Sequence, residues 1–193
     1  MLINAALALV IEDAVPEVVY QGNHQRALGR GDVEKLAQNY FKKRLIIDLS
    51  KEVDVSGAFL PSAKHRYLAV KEAVTYDHKT VTIEIPAAGT NFQFDSTKAD
   101  LVLILSKIRI GTQTADYYEN RVKHGINTTG QHLIYTANFV LWDNRTNQYI
   151  CYGRVKSLVP VRREEAVIAE WEELSQQFVR TIFEPTGFLK KKK

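Results

Sequence analysis

One cysteine, Cys151, and one methionine are all the sulfur in 193 residues. A lone cysteine excludes an intrachain disulfide, and with it the framework that props up small secreted domains. The chain does not need one, because at this length folding buries roughly 70% of the unfolded surface. An excess of charge of one sign is also missing. The formal net charge is +4, but Lys190, Lys191, Lys192 and Lys193 close the chain, and without them 22 basic residues balance 22 acidic ones. A neutral body argues against an electrostatic grip on nucleic acid. Such a role would need Lys42, Lys43, Arg44, Arg162 and Arg163 to gather on one face. No apolar run is long enough to span a bilayer as a helix. The opening "MLINAALALVI" has no Lys or Arg before Arg26 and runs straight into Glu12 and Asp13. It lacks the basic start and small-residue cleavage site of a secretion signal and reads as a buried strand. An exported form of the protein would have lost its signal ahead of this segment.

Recognisable chemistry is scarce as well. The five histidines are His24, His65, His78, His124 and His132. No two sit three or four residues apart on a helix and none neighbours Cys151, so no metal set is expected. No G-x-S-x-G elbow offers a serine nucleophile. The glycines of "GRGD" at 29–32 lack the Lys-Ser/Thr of a phosphate loop. Neither catalytic residues nor a cofactor are expected.

What is present is strong patterning. Residues 3–11 are apolar on both faces, as in an interior strand. After the Gly-rich loop "QGNHQRALGRGD", Asp32 is a plausible N-cap, and Val33, Leu36, Ala37, Tyr40, Phe41, Leu45 and Leu49 recur at three- and four-residue spacing. They predict an amphipathic helix over 33–52. "RYLAVKEAV" fits strand or helix equally. "TVTIEIP" alternates as a half-buried strand. The apolar run Leu101–Leu105 places residues 100–110 centrally in a sheet, with Lys107 and Arg109 emerging. Residues 132–142 and 148–159 read as two long strands. From Glu164, an apolar stripe of Val167, Trp171, Leu174, Phe178 and Ile182 predicts a second helix, with Glu170, Glu173, Gln177 and Arg180 off the stripe. Pro185 and Gly187 stop it. The expected fold is α+β: a single mixed or mostly antiparallel sheet with a long hairpin, covered on one face by two amphipathic helices. Residues 1–189 are expected to form one domain, with 190–193 as a basic tail.

Two stretches compete for function. In "VLWDNRTNQYICYGRV", residues 140–155, the residues Asp143, Asn144 and Asn147 are those a turn wants, since their side chains satisfy local backbone groups. Cys151 there has no base nearby to activate it and reads as a buried strand residue. The stretch is a well-made hairpin. The polar connection 111–131 is long for a compact domain and carries Tyr117, Tyr118, Glu119, Asn120, Arg121 and His124. Exposed aromatic and arginine side chains make effective contact anchors, so Tyr117, Tyr118, Arg121 and His124 are the candidate binding residues. The same residues would also suit strand extensions capping the core. The alternative function is a small-molecule binder or small enzyme with a pocket near 111–131, using His124 or His132 with Glu119 as acid and base.

Three segments together resemble a family. "TKADLVLILSKIRI" resembles the strand opened by an Ala-Asp pair in certain small bacterial envelope lipoproteins. "YTANFVLWDNRTNQYICYGRV" is similar to their following hairpin, and "REEAVIAEWEELSQQFVRTIF" to their closing helix. The domain in question is like the N-terminal domain of the Tol-system periplasmic propeller protein and the curli-secretion lipoprotein. The match runs over 97–183, with the helix at 33–52 before it. The resemblance implies a periplasmic or outer-membrane location and a non-enzymatic role in binding an envelope protein or lipid-linked component, in assembly or transport. Without export the location would be cytoplasmic. Open strand edges in such a sheet would permit a homodimer by strand addition.

Overall fold

The computed structural model describes residues 5–12, 17–20, 41–59, 66–94, 98–116, 129–160 and 168–190; for Glu17–Tyr20, Phe59, Gln113–Asp116, Thr129–Gln131 and Ile168 it describes the backbone alone. In chain order the elements are β1 (Ala6–Ile11), β2 (Glu17–Tyr20), α1 (Phe41–Glu52), β3 (Gly57–Phe59), β4 (Ala69–Tyr76), β5 (Lys79–Pro86), β6 (Leu101–Asp116), β7 (Thr129–Asp143), β8 (Gln148–Pro160) and α2 (Ile168–Phe183), followed by a 3-10 turn, Glu184–Thr186. Six strands form the main sheet in the order β3-β1-β6-β7-β8, and β2 also pairs with β6. β1 lies parallel to β3 and β6, whereas β6, β7 and β8 are antiparallel. The sheet is therefore mixed, and the fold is α+β.

Alternation along the central strands sorts the core into two layers. Leu7, Leu9, Leu101, Leu103, Leu105, Leu133, Tyr135, Ala137 and Leu141 point to one side, where α1 and α2 cover them with Phe41, Leu45, Leu49, Leu174, Phe178 and Ile182. The ring of Tyr135 lies between Phe41 (centroids 4.6 Å apart) and Phe178 (4.9 Å). Ala8, Val10, Val102, Ile104, Val140 and Trp142 point to the other side. There a separate two-stranded sheet, the β4–β5 hairpin, lays Ile83 and Ile85 over them. Apolar surface on both faces explains why β1 and β6 read as unbroken hydrophobic runs.

The ambiguous stretch "RYLAVKEAV" is strand from Ala69 onward, and the chain turns through Asp77 and His78 at φ 49° and 58°. Two consecutive left-handed residues give the hairpin the twist its strands need. Much of the connection 111–131 is strand too: β6 runs to Asp116 and β7 begins at Thr129. β6 is interrupted once, between Ser106 and Arg109, where Lys107 takes φ 49°. This bulge resets the alternation, so that Ile108 and Ile110 rejoin the helix side.

The helices pack through charge as well as apolar area. Arg44 and Asp48 are both buried on α1, with Nε 2.9 Å from Oδ2 and Nη2 2.9 Å from Oδ1, and Arg44 also reaches Glu172 on α2. Arg180 joins Glu52 across the same seam at 2.6 Å. Glu170, expected off the apolar stripe, is buried at 2% exposure. Helical spacing places a side chain on a face but does not reveal which neighbours extend to cover it. Gly187, at φ 75°, ends the helical segment as its position after Pro185 suggests.

Candidate binding surface at the edge strand

The stretch 140–155 is a tied-down hairpin. The Asp143 carboxylate accepts from the Arg145 N–H (2.9 Å) and the Arg145 guanidinium. Burial pushes this carboxyl up, but the bonds from Arg145 and from the Thr146 N–H outweigh it and hold it below the ordinary carboxylate range. Asn144 reaches into the neighbouring segment. Its Oδ1 accepts from the Phe92 N–H at 2.8 Å, and its Nδ2 donates to the carbonyls of Phe92 (2.8 Å) and Ala99 (3.1 Å). Asn147 takes the left-handed conformation at φ 56°, and its carbonyl accepts from the Gly89 N–H. Cys151 is partly buried, and desolvation raises its thiol to about 11, away from the thiolate a nucleophile needs.

This turn delivers the chain into β8, the terminal strand of the main sheet. Every second residue of an antiparallel strand turns its N–H and C=O away from its partner. Among the described residues no backbone group of Gln148–Pro160 bonds to anything but β7. The start of the strand is apolar and open, with Tyr149 at 50% and Ile150 at 37% exposure. Pairing passes from Leu141↔Cys151 to Trp142↔Tyr149, leaving Ile150 as the extra residue of a bulge. That bulge puts Tyr149 and Tyr152 on the same face, ring centroids 4.9 Å apart and mutually perpendicular.

Beside this pair a groove of about 500 Å³ opens between β8 and the hairpin, lined by Val70, Glu72, Ile85, Pro86, Trp142 and Tyr149. Leu68 and Val70 bring two further apolar side chains to the surface, at 77% and 43% exposure. The Trp142 indole is fully buried, and among the described residues its Nε1 has no hydrogen-bond partner. Farther along the same face of β8 come Arg154 and Lys156, opposite Asn138 and Thr136 of β7. The surface can therefore offer an apolar seat, an open row of backbone donors and acceptors, and two cations.

The sequence marks residues 140–155 as a candidate stretch but reads them as a hairpin, with no sign that β8 ends the sheet. Tyr117, Tyr118, Arg121 and His124, with Glu119, lie outside the described residues. His132 is buried on β7, and His78 is exposed at the tip of the hairpin. Among the described residues no three His, Cys, Asp or Glu side chains gather as metal ligands. Of the cations considered for nucleic acid, Arg44 is turned inward to Asp48 and Glu172; Arg162 and Arg163 lie outside the described residues. Among those residues, no helix is long and apolar enough to cross a membrane.

No family model and no curated protein matches the chain. Several solved bacterial structures align with the chain. A DUF330 protein from Xanthomonas campestris aligns with TM-score 0.45 and 8% identity, over 93% of this chain and 81% of its own. A hypothetical protein from Chlamydia trachomatis gives 0.43 and 10%, over 93% and 95%. A Caulobacter crescentus protein assigned as a lipoprotein gives 0.28 and 14%, over 88% and 82%.

Proposed function

We propose that this chain is a non-catalytic binding domain of the bacterial cell envelope, acting on the periplasmic side and capturing a protein or lipid-linked component during assembly or transport. The observation that carries the binding role is the open start of β8: exposed Tyr149 and Ile150 flank a groove next to exposed Leu68 and Val70. Large apolar side chains clustered at one end of a strand edge cost solubility, and a partner that covers them removes that cost. The envelope setting is supported by the sequence resemblance of residues 97–183 to small envelope lipoproteins whose domain is like that of the Tol-system periplasmic propeller protein and the curli-secretion lipoprotein. In the same reading residues 1–189 act as one domain, and Tyr117, Tyr118, Arg121 and His124 supply additional contacts to the partner.

The test is affinity capture from the envelope fraction of the source cells, read by mass spectrometry. The wild-type chain should retain an envelope component reproducibly. Alanine at Tyr117, Tyr118 and Arg121 together should weaken retention while leaving the circular dichroism spectrum unchanged. Retention of nothing by the wild type, with a metabolite bound in native mass spectra, would instead favour a small-molecule binder.

A further inference from the structure

We infer that β8 takes an added strand from another protein, and that the segment it takes carries apolar side chains at one end and acidic ones at the other. This rests on the partner-binding reading above and specifies the partner's chemistry. Three observations converge. β8 is thirteen residues long, and the backbone groups of the alternate residues that turn away from β7 find no partner among the described residues. Along its hairpin-side face the order is Tyr149, Tyr152, Arg154, Lys156, Leu158: an aromatic pair, then two cations, then a half-buried leucine. Neither Arg154 nor Lys156 makes an ion pair or hydrogen bond among the described residues.

Strand addition draws affinity from main-chain hydrogen bonds and specificity from the side chains that fall on one face. Opposite charges facing each other across neighbouring strands stabilise the pairing, and like charges oppose it. A segment laid along β8 would set one side chain beside the Tyr149–Tyr152 pair and the groove that reaches Val70 and Trp142. Two positions further along, and again two beyond that, its same-face side chains would meet Arg154 and Lys156. Acids fit there. Glu72 and Asp77 are the acids of the hairpin nearest this stripe: Glu72 acts on Tyr152, and Asp77 lines a shallow depression with Lys156. They make a lysine-bearing segment less unfavourable, so the test must reverse the charges on both partners.

The same arithmetic weighs against a second copy of this chain as the occupant. A full-length antiparallel pairing of β8 with itself brings Arg154 opposite Arg154, flanked by both copies of Lys156. An edge that carries two cations and no anion is built to refuse itself.

The probe is a nine-residue synthetic peptide alternating threonine with valine, valine, aspartate and glutamate, titrated onto the full chain and read by fluorescence anisotropy and amide hydrogen exchange. We expect saturable binding, with slowed exchange along residues 148–160. Methylating one alternate set of the peptide's amides should abolish binding, and methylating the other set should spare it. R154E/K156E should weaken the acidic peptide roughly tenfold and admit a lysine-for-acid peptide. R154Q/K156Q should weaken the acidic peptide less and serves as the check should the reversed variant misfold. Binding indifferent to these charges, no binding of either peptide, or concentration-dependent self-association through β8 would each overturn the inference. If envelope capture persists while R154E/K156E leaves it untouched, partner binding stands and strand addition at β8 falls. If the wild type captures nothing, the partner-binding reading falls first.

Discussion

The two edges of the main sheet are finished in opposite ways. At one edge, β3 is three residues long, and the residues just before it are tied to the segment 188–190. Val53 bridges to Leu189, the Asp54 N–H donates to the Phe188 carbonyl at 2.8 Å, and the Lys190 N–H donates to the Glu52 carbonyl at 2.8 Å. At the other edge, β8 is thirteen residues long, and among the described residues its outward backbone groups are unpaired. Short edges and covering segments are the usual means of preventing unwanted strand pairing. Among the described residues these devices are found at one side and not at the other, which separates an edge built for stability from an edge left available.

Substitutions in the helix seam, beside the closed edge and at the tied-down turn should cost stability, whereas those of the exposed side chains at the start of β8 should cost only binding. The largest effect is expected from Asp48→Ala, which leaves the Arg44 guanidinium buried beside α2 without its fully buried partner; about 3 kcal/mol should be lost in urea unfolding. Val53→Ala, at a side chain with no exposure, should cost about 2 kcal/mol and loosen the bridge to Leu189. At the turn feeding β8, Asn144→Ala removes three hydrogen bonds to Phe92 and Ala99. About 2 kcal/mol is expected, with faster exchange of the Phe92 amide.

The open edge should behave differently. Tyr149→Ser with Ile150→Thr should leave unfolding within about 0.5 kcal/mol of wild type, yet abolish envelope capture. A stability loss as large as that of Val53→Ala would mean that the exposed pair belongs to the fold, and the contrast between the edges would collapse. The smallest effect concerns acid. The Asp143 carboxyl is held below its ordinary value in the fold, so its contribution is present above the unfolded value of about 4 and fades as pH falls through the folded one. Asp143→Asn should lower the unfolding midpoint at about pH 7 and slightly narrow the gap between about pH 7 and pH 3.

Much of the architecture was legible from residues alone, because it rests on local periodicity. Phe41, Leu45 and Leu49 repeat as a helix face must, and Leu133 to Leu141 alternate as a strand face must. The turn chemistry of Asp143 and Asn144 was legible for the same reason, although the reach of Asn144 to Phe92, 52 residues away in sequence, was not. The β4–β5 hairpin was half hidden, since Asp77-His78 is not one of the dipeptides that announce a two-residue turn. The open edge was illegible for a deeper reason. Which strand ends a sheet depends on pairing order, and no spacing within "QYICYGRV" records that, among the described residues, β7 alone pairs with it. Arg44 and Glu170 mislead similarly: a charged residue reads as wet until the second helix is in place.

The bulge at Lys107 has a consequence for how the chain tolerates change in length. Two residues of β6, Lys107 and Ile108, stand where β7 offers only Ala137 between Asn138 and Thr136. Removing Lys107 would leave Leu105, Ile108 and Ile110 in unbroken every-other-residue order, all still turned to the helix side. Elsewhere in β6 a deletion would turn the remaining side chains inside out. The longest strand of the protein thus carries one spare link, an insertion the sheet has absorbed as a twist instead of a change of face.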